Sequence, residues 1–270
     1  MTKSFRELHL SGNAFVLANA WDIGSARMYA ALGAQAIGTS SAAYAFTLGR
    51  PDMGTITRDE MLQHAQDMVA ATKLPVSGDF ENGFGDDPDT VAQTVKLAGE
   101  VGLAGISIED TQLPNVETYN FELAVERIKA AAAAARILTS DFVLVARADG
   151  LMNGVYDLPQ AIKRIQAFER VGADCVYIPC LPDLATVKTV CQCVSIPVNV
   201  LAVGAMTQYS TQQLSAAGAA RISLGSANVR EVQQTMHDTM AAIIDKGDFS
   251  RLGKGLSSDF ADELLENGKR

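Results

Sequence analysis

The sequence predicts an α/β chain folded as a (β/α)8 barrel of the TIM type, with an extra C-terminal helical segment, and three observations carry that prediction. Eight short β-branched or apolar runs recur along 270 residues. Segments with helical spacing lie between them, so strand and helix alternate. Several helices close on a small cassette, Leu32-Gly33-Ala34, Val101-Gly102-Leu103, Val171-Gly172-Ala173 and Ala217-Gly218-Ala219, a few residues before the next strand. Glycine there supplies the left-handed end of the helix. Such alternation suits a parallel sheet, and eight units close it. An open doubly wound sheet is the competing reading, weakened because no Gly-x-Gly-x-x-Gly follows the first strand.

In chain order, residues 1–12 read as a helical lead-in. The predicted strands are Phe15 to Asn19, Ala36 to Ser41, Pro75 to Phe80, Gly105 to Asp110, Phe142 to Asp149, Cys175 to Cys180, Pro197 to Val203 and Ala220 to Gly225. Helical spacing marks Ile23 to Leu32, Arg58 to Thr72, Pro88 to Val101, Glu122 to Leu138, Leu158 to Val171 and Asp183 to Val190. The alanine run Ala130 to Ala135 has high helix propensity and suits a closely packed outer helix. Residues 226–270 form a long helix through Ile244, a polar turn from Asp245 to Asp248 and a short helical tail. That tail carries Phe249, Leu252, Leu256, Phe260, Leu264 and Leu265, more apolar surface than one barrel can bury, so it can cross to another subunit. The whole chain, 1–270, is read as a single barrel domain.

Composition narrows the function. The chain is 48% hydrophobic and 20% charged, as a globular enzyme is. A formal charge of −9, with no dense run of Lys and Arg, argues against a nucleic-acid partner. The first residues lack the apolar core of a signal peptide and no run approaches the ~20 residues of a membrane span, so a cytoplasmic location with no membrane partner is expected. Cys175, Cys180, Cys191 and Cys193 have no His nearby and no standard zinc spacing, and read as reduced structural thiols. His9, His64 and His237 fall outside the strand ends and read as surface or packing residues.

In a barrel, polar residues at the ends of distant strands meet in one place. Asp79 and Glu81, two apart at the end of the third strand, project to the same side. Glu109 and Asp110 must face opposite ways, whereas Arg147 and Asp149 share a side. Asp52 follows the second strand. Oxygen ligands without histidine suit Mg2+, with Mn2+ as a substitute; Mg2+ takes one or two direct carboxylates and keeps water on the rest. Asp79 is then the direct ligand, with Glu81, Glu109 and Asp52 holding metal-bound water. Arg147 beside them would bind a substrate carboxylate bidentately. Each feature also has a plainer account. The acids of 79–89 could form a solvated turn, Glu109, Asp110 and Arg147 a salt bridge at the rim, and Thr39-Ser40-Ser41 an ST-turn rather than a set of amides that binds substrate.

Five motifs in order extend the argument: Asn19-Ala20-Trp21-Asp22, Leu48-Gly49-Arg50-Pro51-Asp52, Gly78-Asp79-Phe80-Glu81-Asn82-Gly83-Phe84-Gly85, Ile108-Glu109-Asp110 and Val145-Ala146-Arg147-Ala148-Asp149. With them the chain, from about Asn13 to about Val229, resembles the isocitrate lyase/phosphoenolpyruvate mutase superfamily. The resemblance implies a barrel that binds Mg2+ and small 2-oxo or 2-hydroxy acids. It also implies a homotetramer, a dimer of dimers, that exchanges a C-terminal helix. It puts the metal contact on Asp79, the water-bridged acid on Glu81, further acids on Asp52 and Glu109, the substrate-carboxylate arginine on Arg147 and the substrate-binding amides on Thr39, Ser40 and Ser41.

The chain also departs from the pattern. The carbon–carbon lyases carry a Lys-Lys/Arg-Cys-Gly-His motif shortly after Glu-Asp. Here residues 111–120 hold neither cysteine nor lysine, which argues against isocitrate or methylisocitrate cleavage through that cysteine. The two lysines of the phosphonate mutases are missing from the same loop, leaving Arg50 as the substitute cation for a phosphonate. Cys180 stands after Pro179 where the lyases place a glutamate, and is the position for substrate selectivity. What the resemblance retains is enolate stabilisation, so the leading expectation is a Mg2+-dependent lyase of the oxaloacetate-decarboxylase type, with Tyr44 from the second loop as proton donor. Phosphorus–carbon chemistry is the alternative within enzymes. A non-catalytic binder of 2-oxo acids is the alternative of another class.

Overall fold

The computed structural model describes residues 3–269. Eight parallel strands pair each with the next and the last with the first, closing the predicted barrel. They are β1 (Phe15–Asn19), β2 (Ala36–Gly38), β3 (Val76–Asp79), β4 (Gly105–Glu109), β5 (Val143–Arg147), β6 (Cys175–Tyr177), β7 (Val198–Leu201) and β8 (Arg221–Ser223). Strands β2 to β5 end at or just before the polar residues singled out in the sequence, because an inward carboxylate is tolerated where water reaches and not in the packed middle.

Before the barrel, α1 (Phe5–His9) starts at a capping box built from Ser4 and Glu7 and buries Phe5, Leu8 and His9. With Phe15, Val143 and Cys175 these close the N-terminal end of the barrel. His9 packs edge-on against Phe5 and Phe15, His64 is buried and His237 is exposed, none of them at the strand ends.

Local signals set the outer helices. On α4 (Arg58–Ala71) the buried residues Met61, His64, Ala65, Met68 and Ala71 recur at intervals of three and four, one stripe of a helix. Asp87 caps α5 (Pro88–Glu100), where proline falls in the first turn and loses no hydrogen bond. The alanine run lies on α6 (Phe121–Ile137), which packs on α5 and buries Ala131, Ala132 and Ala135. The four cassette glycines, Gly33, Gly102, Gly172 and Gly218, have φ between +89° and +108°, the left-handed conformation that ends their helices.

One region differs from the expectation. The strand expected through Ser41 stops at Gly38, and Ser41–Thr47 form a helix, α3, capped by the Ser40 hydroxyl. The helix that follows β8, α10 (Ala227–Lys246), buries only Val229. The chain then returns, and α11 (Ser258–Asn267) packs on α2 (Ile23–Ala31) of the same chain with Leu264 buried. Phe249, Leu252, Leu256 and Phe260 stay exposed.

Candidate active site

The C-terminal ends of the strands enclose a cavity of about 180 Å³ whose lining includes Asp52, Asp79, Glu81, Glu109, Arg147 and Asp149. Strand pairing explains the meeting. Asp79 lies opposite Ser107 on β4, and Glu109, two residues further along β4, lies opposite Arg147 on β5. Residues in register across a sheet point the same way, so one inward row collects side chains from distant parts of the chain.

Arg147 is the hub. Its Nη1 donates to Asp79 Oδ1 at 2.9 Å, its Nη2 to Asp149 Oδ2 at 2.7 Å, and Nη2 stands 3.2 Å from Glu109 Oε2. The other Asp79 oxygen accepts from the Ser41 amide at 3.1 Å and from the Ser41 hydroxyl at 2.9 Å. Below it, the Asp79 amide donates to Thr39 Oγ1 at 2.9 Å. Asp79 is therefore clamped from β2, α3 and β5. Glu81 sits in a left-handed turn, φ +48°, within a loop held from beneath. Arg127, on α6 and 1% exposed, donates to the carbonyls of Asn82, Gly85 and Asp86.

Charge in the cavity does not balance. Five carboxylates line it against the single guanidinium of Arg147. Burial raises the Asp52 carboxyl, and the charge of Asp79 adds to it. Burial, then the charge of Asp79, pushes Glu81 up to about 7. Glu109 is held well above the usual range by burial and by Asp149, Asp79 and Glu81, with Arg147 opposing. Burial opposes the charge on Arg147 as well, but Asp149, Glu109 and Asp79 outweigh it and keep the guanidinium charged.

Such a surplus of negative charge fits a hard cation. Among the described residues no three His, Cys, Asp or Glu side chains converge closely enough to hold an ion by themselves. Carboxylates set apart in this way would hold a cation partly through its water. Asp79 would be the contact, with Glu81, Glu109 and Asp52 round it.

The remaining sequence candidates divide. Ser40 and Ser41 line the cavity, but Ser41 bonds Asp79 rather than facing open space with its amide. Thr39 lies deeper, in a smaller cavity under the first. Tyr44 is a correction: it lies on α3, where its ring stacks on His64 of α4 with centroids 4.0 Å apart, and it does not line the cavity. The helix that replaced the end of the second strand turned it outward. Cys180 is also corrected. It is exposed and outside the lining, although close enough to feel the charges of Asp149 and Arg147. Arg50 faces Glu60 at 2.9 Å, away from the cavity. The loop after β4 folds through a bridge between Thr111 and Thr118 and brings Thr111 and Leu113 over the site. Sequence reading missed Tyr177 and Ser226, which line the cavity too. Tyr177 carried a usable signal, an aromatic hydroxyl in register with Arg147 on the next strand.

The sequence profile of the phosphoenolpyruvate phosphomutase family matches residues 5–244. The chain is 32% identical over 225 residues to 2-methylisocitrate lyase of Escherichia coli K12, covering 80% of this chain and 75% of that one. It is 30% identical over 222 residues to oxaloacetate decarboxylase 2 of Pseudomonas fluorescens Pf0-1, with the same coverage of 80% and 75%. Among solved structures, that of 2,3-dimethylmalate lyase superposes with a TM-score of 0.84 at 25% identity, covering 96% of this chain and 93% of that one.

Proposed function

Given that this chain belongs to the isocitrate lyase/phosphoenolpyruvate mutase superfamily and is an enzyme of it, we propose that it is a cytoplasmic lyase that breaks a carbon–carbon bond. The substrate is a small 2-oxo or 2-hydroxy (di)carboxylic acid, the bonding pair is left as an enolate, and the cation is Mg2+, replaceable by Mn2+. The observation that carries the reading is the convergence of Asp52, Asp79, Glu81 and Glu109 on one cavity with Arg147.

A divalent cation there would polarise the 2-oxo group and stabilise the negative charge that cleavage develops. The protein's own residues do the rest. Ser41 and Arg147 fix the Asp79 carboxylate in one orientation. Arg147, already charged and lining the cavity, pairs with the substrate carboxylate through the Nη1 hydrogen that Asp79, Glu109 and Asp149 leave free. Leu113 and Met152 give the lining an apolar side that keeps water from the reacting carbon. Oxaloacetate-type decarboxylation asks for little more, because CO2 leaves without a general base. Phosphorus–carbon cleavage is the weaker reading, since Arg50 is held by Glu60 and residues 111–120 supply no cation.

The exposed apolar side chains of α10 and of residues 249–260 support a homotetramer, a dimer of dimers, in which a neighbouring subunit covers them. The four cysteines are unpaired, as suits the reducing cytoplasm, and no helix among the described residues is long and apolar enough to cross a membrane.

One-dimensional NMR of the protein with Mg2+ and oxaloacetate, substituted malates, methylisocitrate or phosphonopyruvate tests the reading, with Asp79→Ala run alongside to subtract spontaneous decarboxylation. Turnover lost in Asp79→Ala is the expected result. Equal rates in both proteins would sink the proposal.

A further inference from the structure

The inward row that holds Arg147 continues round the barrel. Arg147 lies opposite Tyr177 on β6, Tyr177 opposite Asn199 on β7, and Asn199 opposite Arg221 on β8. Asn199 is fully buried and Arg221 only 2% exposed. The Arg221 Nε donates to Asn199 Oδ1 at 2.7 Å. A guanidinium can only donate, so this bond sets the direction of those that follow. Asn199 presents its oxygen to Arg221 and its nitrogen to β8, where Nδ2 donates to Ser223 Oγ at 2.8 Å. Ser223 thus accepts from Asn199 and has one hydrogen left to give, and it shares with Tyr177 the lining of a small cavity, where its hydroxyl favours the ionised phenol. A hydrogen given by Ser223 to the phenol oxygen would leave the phenol's own hydrogen over. Tyr177 lines the carboxylate cavity and also the cavity of about 50 Å³ beneath it.

We propose that Tyr177 is the proton donor of this site, delivering the hydrogen of its hydroxyl to the carbon of the enolate; the assignment rests on the lyase reading above. The pair from the broken carbon–carbon bond becomes the π pair of the enolate. That pair takes the Tyr177 proton to make the new C–H bond, and the O–H pair stays on the phenol oxygen as tyrosinate. Ser223 donates to the tyrosinate, and the guanidinium of Arg147, 5.2 Å from the centre of the Tyr177 ring, faces it with opposite charge. Water returns the proton once the product has left.

Other groups in the cavity suit the task less well. The carboxylates must be ionised to hold a cation, the Ser41 hydroxyl gives its hydrogen to Asp79, and Ser40, Thr111 and Ser226 carry aliphatic hydroxyls, weaker acids than a phenol. Burial holds the Tyr177 phenol well above its ordinary pKa, more than Arg147 lowers it, so the donor begins each cycle protonated.

Tyr177→Phe removes the hydroxyl and keeps the ring. Turnover of 3-methyloxaloacetate with Mn2+ in D2O, the product trapped by reduction as it forms, reports both rate and the configuration of deuterium at C3. The expected result is a kcat lower by about 100-fold and a single configuration replaced by a mixture, because solvent reaches both faces of the enolate. An unchanged kcat overturns the proposal, and so does slower turnover with the configuration kept.

Calorimetry with oxalate, a planar dianion shaped like the enolate of pyruvate, needs no turnover. Its Mn2+-dependent affinity should fall about tenfold in Tyr177→Phe, while Mn2+ alone binds as before and shows the barrel intact. Equal oxalate affinity overturns the proposal. Ser223→Ala gives a second handle that leaves the phenol in place: kcat falls because the tyrosinate loses its donor, and an unchanged kcat counts against the assignment. If the wild-type protein turns over none of the acids, the lyase reading fails by itself, and the oxalate comparison still decides whether Tyr177 donates to an anion in the cavity.

Discussion

Glu109 and Asp110 are neighbours in the chain, equally acidic and both buried, yet they belong to opposite kinds of structure. Glu109 points into the barrel among Asp79, Glu81 and Asp149, with a share of Arg147 as its one cation. Asp110 points outward and is satisfied. It accepts the Asp149 amide at 2.8 Å, the Tyr156 hydroxyl at 2.8 Å and Arg164 Nη1 at 3.0 Å. Arg164 in turn donates to the Tyr119 carbonyl at 2.8 Å, tying α7 (Leu158–Val171) to the loop after β4. A buried carboxylate whose donors are complete holds a fold together, whereas one left in surplus is waiting for a ligand.

The comparison can be broken in several places. On the inner side, Asp79→Ala should lower kcat/KM by more than about 100-fold, the most that losing an outer-shell partner of a metal costs. Mn2+ titration should show the loss of binding while the unfolding midpoint in urea stays close to that of the wild type. If Mn2+ binds Asp79→Ala as well as the native chain, the metal site is elsewhere.

On the outer side the effects exchange places. Asp110→Ala strands Arg164 without its carboxylate and should cost about 3 kcal/mol of stability in urea, with activity per folded molecule kept at low denaturant. A stable but inactive Asp110→Ala protein would mean that the outer network belongs to the chemistry.

His9 gives a third kind of burial, a neutral ring kept from its proton. Burial beneath the barrel, helped by the charge of Arg221, lowers its pKa from 6.5 to about 3. The unfolded chain takes up that proton below about pH 6.5 and the folded one does not, so stability is full above that pH and is lost as pH falls toward 3. His9→Phe should remove this part of the acid sensitivity, roughly 2 kcal/mol at pH 5. Parallel pH profiles of the two urea midpoints would show that the ring is protonated in the folded state.

The smallest effect is the sharpest test of surplus charge. Glu109→Gln relieves repulsion in the metal-free protein and should raise its stability by about 1 kcal/mol at pH 8, while weakening Mn2+ binding about tenfold. A destabilised Glu109→Gln protein would place Glu109 with Asp110, as a structural acid.

By itself the sequence determined the barrel and brought together most of the charged side chains that line its cavity. Period-two alternation decides which side of a strand a residue faces, and alternating strands and helices decide which strand ends meet, so Asp79, Glu109 and Arg147 could be gathered before any coordinates, with Asp52 and Glu81 added from the loops just beyond. Glu109 and Asp110 were separable on the same ground. Tertiary structure decided what happens beyond the strands, where no period constrains the chain. The helix Ser41–Thr47 took Tyr44 to His64 and gave Ser41 to Asp79. Cys180, in a left-handed turn at φ +58°, left the lining. The row from Arg221 through Asn199 to Ser223 was out of reach as well, because hydrogen-bond direction depends on which donors face one another across neighbouring strands. Sequence spacing gives the side a residue faces; only packing gives the partner it finds there.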